Sequence, residues 1–383
     1  MRLAELVGRY PHARLATPAD NERILAFFER TPMHASRVDV QYRRRPDFFR
    51  LLRYRSDRAF VMLTEDDAGA VRSVATASLR PGWVDGQPTT VGYLGDLRVT
   101  LDRVFSRAWR RLFADLVTRA PEIEELSDCT HWLTTVIDGN DAALAALKNE
   151  RDSDQPSLVP IGPFTMRNLI MRWPVVGRAR PSGPWHIGDA READRAALTT
   201  FFEEENRRVA FGFRGELARR MSCWDGLSTS DFVYAADDRG LIACVAPWSP
   251  SAAKQTVVSR VPVAFRLIGQ GARVLSSPPL RVPEPGEPLR TPYLTHLTFA
   301  SRLSSEARAQ IFRMMLDRLF DRWRGADWHC VALCDFEAWN LGRALRGFVQ
   351  HTVPITVYAV VSPRQRISMT PPVGPPAFEM AMV

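Results

Sequence analysis

The chain has 383 residues, 45% of them apolar and 25% charged, with a formal net charge of +8. That length has room for two ordinary domains, and a mean hydropathy of -0.19 fits a soluble globular protein. The five scattered cysteines exclude a disulfide framework, no His/Cys/carboxylate group has metal-ligand spacing, and no run approaches the ~20 apolar residues of a membrane span. The opening residues carry no apolar run of signal-peptide length, so a cytoplasmic protein is expected.

Thr17-Pro18 reads as the cap and first position of a helix reaching about Arg30, and a second short helix begins near Pro46. Segments 59–64 and 70–79 form a hairpin about Asp66-Asp67-Ala68-Gly69. A strand over 90–99 runs into a helix over 104–119, followed by a strand at 126–136, a helix at 139–148 and extended chain over 158–173. A Pro- and Gly-rich stretch then marks a boundary, giving a first domain at 1–173, a linker at 174–184, a second domain at 185–362 and a Pro-rich tail at 363–383. The second domain reads as a helix at 189–207, a hairpin of 232–235 and 241–245, a Pro-rich insertion at 276–292 and a strand at 293–299. A helix at 304–324, a strand at 328–334, a helix at 337–346 and a strand at 353–361 close it. The tail is either a strap or disordered.

The second half repeats the first. Tyr93-Leu94-Gly95-Asp96-Leu97-Arg98-Val99 recurs as Tyr293-Leu294-Thr295-His296-Leu297-Thr298-Phe299, an offset of 200 residues, and Asn140 recurs as Asn340. The helices after these strands share one apolar phase: Phe105, Ala108, Trp109, Leu112, Phe113 and Leu116 in the first, Phe312, Met315, Leu316, Leu319, Phe320 and Trp323 in the second. Both sets follow i, i+3, i+4, i+7, i+8, i+11, one buried stripe of a helix. A duplicated strand–helix–strand–helix unit is expected, its two copies related by a pseudo-twofold axis.

Of the 51 basic residues only Lys148 and Lys254 are lysines, and the excess charge is even: 27 basic against 23 acidic residues to position 180, then 24 against 20. That evenness reads as codon bias toward arginine, with Arg forks for an anionic ligand as the alternative. The densest cluster, Arg43 to Arg45 with Arg50, Arg53, Arg55 and Arg58, is expected to be either a solvated helix face or an anion contact.

The order strand, two helices, hairpin, strand, helix, strand, helix, strand, present once in each half, resembles the GNAT superfamily of acyl-CoA-dependent N-acyltransferases. The fold class this implies is α/β with mixed sheets: two tandem GNAT-like domains, each a mostly antiparallel sheet flanked by helices. In that family a Leu-x-Val strand enters a loop of the form Gln/Arg-x-x-Gly-x-Gly/Ala and then a helix. Here Leu97-Arg98-Val99 precedes Arg103-Val104-Phe105-Ser106-Arg107-Ala108, with Ser106 where Gly is usual. A helix N-terminus offers unpaired N–H groups and a positive dipole end that suit a pyrophosphate. The resemblance therefore assigns Leu97, Arg98, Val99, Arg103, Val104, Phe105, Ser106, Arg107 and Ala108 to acetyl-CoA or another acyl-CoA as cosubstrate. The family's Asn-x-x-Ala and Gly-Phe marks recur at Asn340 to Phe348, while the first half keeps only Asn140 to Ala143.

Acyl transfer to an amine requires a proton acceptor, donors for the tetrahedral oxyanion, and a thioester held at attack distance. Asp96 is the base candidate of the first half, with capping of its loop or pairing with Arg98 as the alternative. His296 stands at the matching place in the second half, as a functional or a satisfied structural histidine, and Asn140 completes the candidate catalytic set. Tyr93 and Tyr293 read as core or groove walls, with catalytic acids as the alternative. The implied activity is N-acyl transfer, most simply acetyl transfer, to a small-molecule or peptide amine. The competing readings are a catalytically eroded binding or scaffold protein and a Fem-type aminoacyl-tRNA-dependent transferase. The last would make tRNA a partner; neither DNA nor a membrane is expected.

Overall fold

The computed structural model describes residues 1–31, 40–100, 102–140, 143, 144, 147, 155–172, 183–258, 283, 284, 286–323, 326–364 and 375–383. Most of the expected linker at 174–184, part of the insertion at 276–292 and much of the helix at 139–148 lie outside them. The first half opens with α1 (Leu3–Val7), β1 (Ala13–Leu15), α2 (Asn21–Arg30), β2 (Val40–Arg43) and α3 (Phe48–Arg55). It continues with β3 (Arg58–Glu65), β4 (Val71–Val84), β5 (Gln87–Val99), α4 (Arg103–Arg119), β6 (Cys129–Ile137) and β7 (Ser157–Arg172). The second half contains β8 (His186–Asp189), α5 (Arg195–Asn206), β9 (Gly212–Phe213), α6 (Glu216–Cys223), β10 (Val233–Asp237) and β11 (Gly240–Trp248). Then come β12 (Gln255–Val258), β13 (Tyr293–Phe299), α7 (Ser305–Arg322), β14 (Val331–Phe336) and β15 (Phe348–Val361).

One large mixed sheet carries both halves, in the order β1-β3-β4-β5-β6-β15-β7-β14-β13-β11-β10-β8. Read from its two ends inward, β1, β3, β4, β5 and β6 match β8, β10, β11, β13 and β14, so 90–99 and 293–299 hold equivalent places. The centre is an exchange: β7 of the first half pairs with β14, β15 of the second pairs with β6, and the two run antiparallel to each other along almost their full length. The two-stranded ribbon of β2 and β12 is a second link between the halves.

The sheet is covered on both faces, because alternate residues of one strand face opposite sides. In the first half Ala75, Ala77, Leu79 and Leu94 pack under Trp109, Leu112, Phe113 and Leu116 of α4. On the other side Val61, Leu63, Val71 and Val74 pack under Ile24, Phe27 and Phe28 of α2 and Phe48 and Leu52 of α3. The six apolar positions expected along α7 are all buried. Gly212 is required where β9 meets β4: a Cβ there would lie 1.8 Å from the backbone oxygen of Asn206.

Three expectations are corrected. The helix expected at 337–346 is two 3-10 turns, Glu337–Trp339 and Leu341–Arg343, because Asn340 between them sits in the left-handed region at φ 54 and stops propagation. The helix expected from 189 is preceded by β8 and a 3-10 turn and starts at Arg195. Finally, the arginine cluster is not uniformly solvated: Arg44 and Arg55 are buried at 5% and 7% exposure, both turned inward onto the carboxylate of Asp96. Among the described residues no helix is long and apolar enough to cross a membrane.

Candidate functional site

Each half carries a bulge at the same strand. Gly95 faces Thr76 and Arg98 faces Val74, so Asp96 and Leu97 together oppose the single residue Ala75. Thr295 faces Ala246 and Thr298 faces Cys244, so His296 and Leu297 together oppose Val245. Asp96 and His296 adopt left-handed backbone, at φ 55 and 56. A bulge of this kind bends its strand and takes a residue out of the ladder.

On the other edge the same strands part from their parallel neighbours. β5 pairs with β6 only from Thr90–Cys129 to Tyr93–Leu133, and β13 pairs with β14 only at Tyr293–Ala332. The strands run on to Val99 and Ile137, and to Phe299 and Phe336, without pairing. Two V-shaped gaps result, each with a bulge on one side and each followed by a helix N-terminus. At α4 the Asp102 carboxylate accepts from Val104 N at 2.7 Å. At α7 the Ser304 hydroxyl accepts from Ala307 N at 3.2 Å.

The gaps differ in what fills them. The described end of the tail, 375–383, threads between the halves as a strap. Ala377 N donates to Ala210 O at 2.9 Å, and Phe378 packs on Tyr93 and Phe164. Glu379 reaches the second bulge, where its Oε1 accepts from His296 N at 2.7 Å and from Arg220 Nη1 at 3.4 Å. Burial pushes this carboxyl up, with Arg220 and the His296 amide pulling it down. Pro375 to Glu379 also wall a pocket of about 80 Å³ with Leu294, Cys334 and Trp339. The amide at the second bulge thus already holds a carboxyl oxygen from the chain itself.

Further along, Arg55 Nε donates to Met382 O at 2.8 Å, and Lys254 Nζ donates to Met380 O at 3.3 Å and to Val383 O. Lys254 lies under the faces of Tyr42 and Tyr293, and burial together with the charges of Arg44 and Arg55 pushes its ammonium down to about 7.

The first bulge is held by a buried ion cluster. Asp96 accepts from Arg44, from Arg55 Nη1 at 3.4 Å and from Thr76 Oγ1 at 3.0 Å. Burial pushes its carboxyl up, but Arg44 and Arg55 outweigh that and hold it below the usual range. Asp96 is therefore ionised, fully engaged and a weak proton acceptor, and its partner is not Arg98. That guanidinium instead caps α2, donating to Phe28 O at 3.1 Å and to Thr31 O, and lies over the Phe28 ring. Asn140 is likewise a cap, its Oδ1 accepting from Ala143 N at 3.1 Å.

His296 points into the core, ringed by Phe202, Trp224 and Phe232, with Nδ1 on Thr295 Oγ1 at 2.9 Å and no partner for Nε2 among the described residues. Burial, then the charge of Arg220, lowers its pKa well below the usual value, so it is a neutral structural imidazole in this arrangement. The unfolded chain takes up a proton near pH ~6.5 that the folded state refuses, so stability falls as pH drops below that point. We expect urea unfolding to show a slope from this residue of up to about 1.4 kcal/mol per pH unit between pH 6.5 and 5, lost in His296→Gln. An unchanged slope in the variant would mean the ring is protonated in the fold.

The cosubstrate candidates divide by depth. Leu97 and Val99 are half-buried against the core under α4, Ser106 and Ala108 are half-buried, and Arg103, Val104 and Arg107 are exposed at the start of α4. Phe105 stands edge-on to His12. Sequence reasoning passed over Glu379, Arg80 and Arg220. One signal for the first was present: the chain ends on Ala377-Phe378-Glu379-Met380-Ala381-Met382-Val383, six apolar residues around one carboxylate, which marks a docking segment.

Comparison with protein-family models and with curated protein sequences gives no match. Solved structures do match. N-myristoyltransferase of Saccharomyces cerevisiae with bound myristoyl-CoA aligns over 91% of this chain and 82% of its own, with a TM-score of 0.56 at 10% identity. The fold is that of the GNAT superfamily. A GCN5-related glucosamine N-acetyltransferase region of a fungal multi-domain β-N-acetylglucosaminidase aligns over 91% of this chain and 38% of its own, with a TM-score of 0.58 at 11% identity. The strands expected at 90–99 and 293–299 are β5 and β13.

Proposed function

We propose that this chain is an N-acyltransferase that moves an acyl group from an acyl-CoA to an amine, with the cosubstrate in the gap between β5 and β6. The observation that carries the reading is the asymmetry of two otherwise matching gaps: Glu379 occupies the bulge amide of the second, leaving the first to take a thioester. The fold neighbours support acyl-CoA as donor, one of them having been solved with myristoyl-CoA bound.

In this reading the acyl carbonyl lies along Asp96–Val99, where the bulge removes backbone from the ladder and frees it to polarise an oxyanion. The pyrophosphate lies at the first turn of α4 beside Arg103, and Val104, at 67% exposure an unusual apolar side chain for a surface, contacts the pantetheine arm. The amine lone pair attacks the thioester carbon, the C–N bond forms and the C–S bond breaks. The thiolate leaves with the electron pair of the C–S bond, and the proton lost by the amine ends on the thiol. A thiol pKa near ~8.5 makes the thiolate a competent leaving group without a dedicated acid. Asp96 acts here as a positioning residue that keeps the bulge in place through Arg44 and Arg55.

The test is a titration of the full chain with CoA, acetyl-CoA and longer acyl-CoAs, followed by thermal unfolding and by thiol release with a panel of amines. A ligand of the native state alone raises the melting temperature by mass action, by roughly 2.7 kcal/mol of stability at a hundredfold excess over Kd. No shift with any acyl-CoA at millimolar concentration would overturn the proposal. A shift without thiol release from any amine would favour a binding protein that has lost catalysis.

A further inference from the structure

Between the two bulges lies a second, smaller pocket of about 50 Å³, lined on one side by Val91, Tyr93, Leu133, Phe213 and Phe378. Its polar wall is lopsided. Three guanidinium groups, Arg55, Arg80 and Arg220, face it, and one carboxylate, Glu379. Asp96 and Glu216, the carboxylates behind Arg55 and Arg220, are each shared with a further arginine, Arg44 and Arg219. The wall therefore carries an excess of positive charge.

Arg80 and Arg220 stack on the Phe213 ring, their guanidinium carbons 4.2 and 4.0 Å from its centroid. Arg80 spends its terminal nitrogens on the carbonyls of Phe211, at 2.6 Å, and Gly212, at 3.1 Å, which carry no net charge. Burial and the like charges of Arg220 and Arg219 press its pKa down to about 9. An arginine keeps its proton under such pressure, so the strain appears as an affinity for an anion. A second, independent feature faces the same space: Ser78 is 2% exposed, lines the pocket, and its Oγ has no hydrogen-bond partner among the described residues. A buried hydroxyl without a partner is a donor waiting for an acceptor.

We infer that this pocket binds the carboxylate of the acyl acceptor, so that the substrate is a small amine bearing a carboxylate, held by Arg80, Arg220, Arg55 and Ser78 beside the first bulge. This rests on the acyl-transfer reading for the word acceptor, and on the pocket alone for the carboxylate. The volume holds roughly three to five water-sized groups at ~10–15 Å³ each, enough for a carboxylate and its α-carbon and too little for a nucleotide. Arg55 connects the pocket to the reacting strand, since the same guanidinium bonds Asp96 of the bulge. An amine one or two bonds from a carboxylate anchored here would face the thioester proposed along β5.

Matched pairs of acceptor give the test: glycine against glycinamide and β-alanine against its amide, on the full chain, by calorimetric binding without acyl-CoA and by thiol release with it. Binding of the acids at least tenfold tighter than the amides is the expected result, with a Ser78→Ala variant losing threefold to tenfold of that affinity. Because the Ser78 hydroxyl bonds nothing among the described residues, its removal should leave the melting temperature within a degree or two. Arg80→Gln should abolish the preference and Arg80→Lys restore part of it; if Arg80→Gln does not fold, the serine variant still decides. Equal binding of acid and amide, an acid preference unchanged by Ser78→Ala, or inorganic phosphate displacing glycine at lower concentration would each overturn the carboxylate site. Acids that bind without any acyl-CoA consumption would leave the site standing and remove the transferase. Thiol release with acids and amides alike would do the reverse.

Discussion

Asp96→Ala should be the most destabilising single substitution at the candidate site. The carboxylate is the shared counter-charge of Arg44 and Arg55, at 5% and 7% exposure, and its removal leaves two guanidinium groups buried together with nothing between them. Breaking a buried pair by deleting one partner typically costs ~3–5 kcal/mol, far more than the pair contributes relative to an apolar replacement. Urea unfolding at pH 7 should show that loss, and the triple variant Asp96→Leu, Arg44→Met, Arg55→Met should recover much of it. The acid limb gives the same information by titration. A carboxyl held below its usual range in the fold stabilises fully above the unfolded value near ~3.9, and that stability is lost as pH falls through the folded value. Asp96→Ala should therefore flatten part of the wild-type stability loss below pH 4. A cost under 1 kcal/mol would mean that the cluster is open to water and that Asp96 is available for chemistry after all.

Arg103→Ala should weaken CoA binding tenfold to a hundredfold without touching stability. Arg103 is exposed at the first position of α4, so the fold does not depend on it. An arginine–phosphate contact is charge-assisted and typically contributes ~1.5–3 kcal/mol, which sets the range. The neighbouring Asp102 carboxylate caps Val104 N and opposes a phosphate there, which makes the arginine more necessary. Ser106→Trp should abolish binding, because its half-buried position in the first turn has no room for an indole beside a bound diphosphate. The control is Ala307→Trp at the start of α7, where the gap is closed by Glu379 and no loss is expected. Normal CoA binding by Arg103→Ala together with loss in Ala307→Trp would reverse the assignment of the two halves.

Periodicity and short-range chemistry made the fold legible. The 3.6-residue apolar stripe along α4 and α7, the Asp66 and Asp237 turns, and the matched strands at 93–99 and 293–299 depend on neighbours within a turn or a strand, and those neighbours are adjacent in sequence. The repeat also aligned Asp96 with His296, and the structure places each of them in a bulge with one shared backbone conformation. Even there the offset holds only from β5 onward; β4 and β11 start 169 residues apart because the segment between β11 and β13 is longer than its counterpart.

What the residues at those places do was decided by contacts more than forty positions away. Asp96 looked like a base or a partner of Arg98, and became the counter-charge of Arg44 and Arg55, because the end of β2 and the end of α3 each bring one arginine to the bulge. His296 looked like its functional twin, but the aromatic side chains of three other elements enclose it in the second half. The exchange of β7 and β15 has no local signal, as the same alternating strand fits either neighbour until the whole sheet is assembled. The sequence by itself determined two similar halves, their matched strands and the helix starts that follow them. Only the tertiary structure decided that the tail closes one gap and that Arg44 and Arg55 meet on the bulge of the other, because an ion pair or a plug is a property of distance in space, and Glu379 lies 83 residues from the amide it holds.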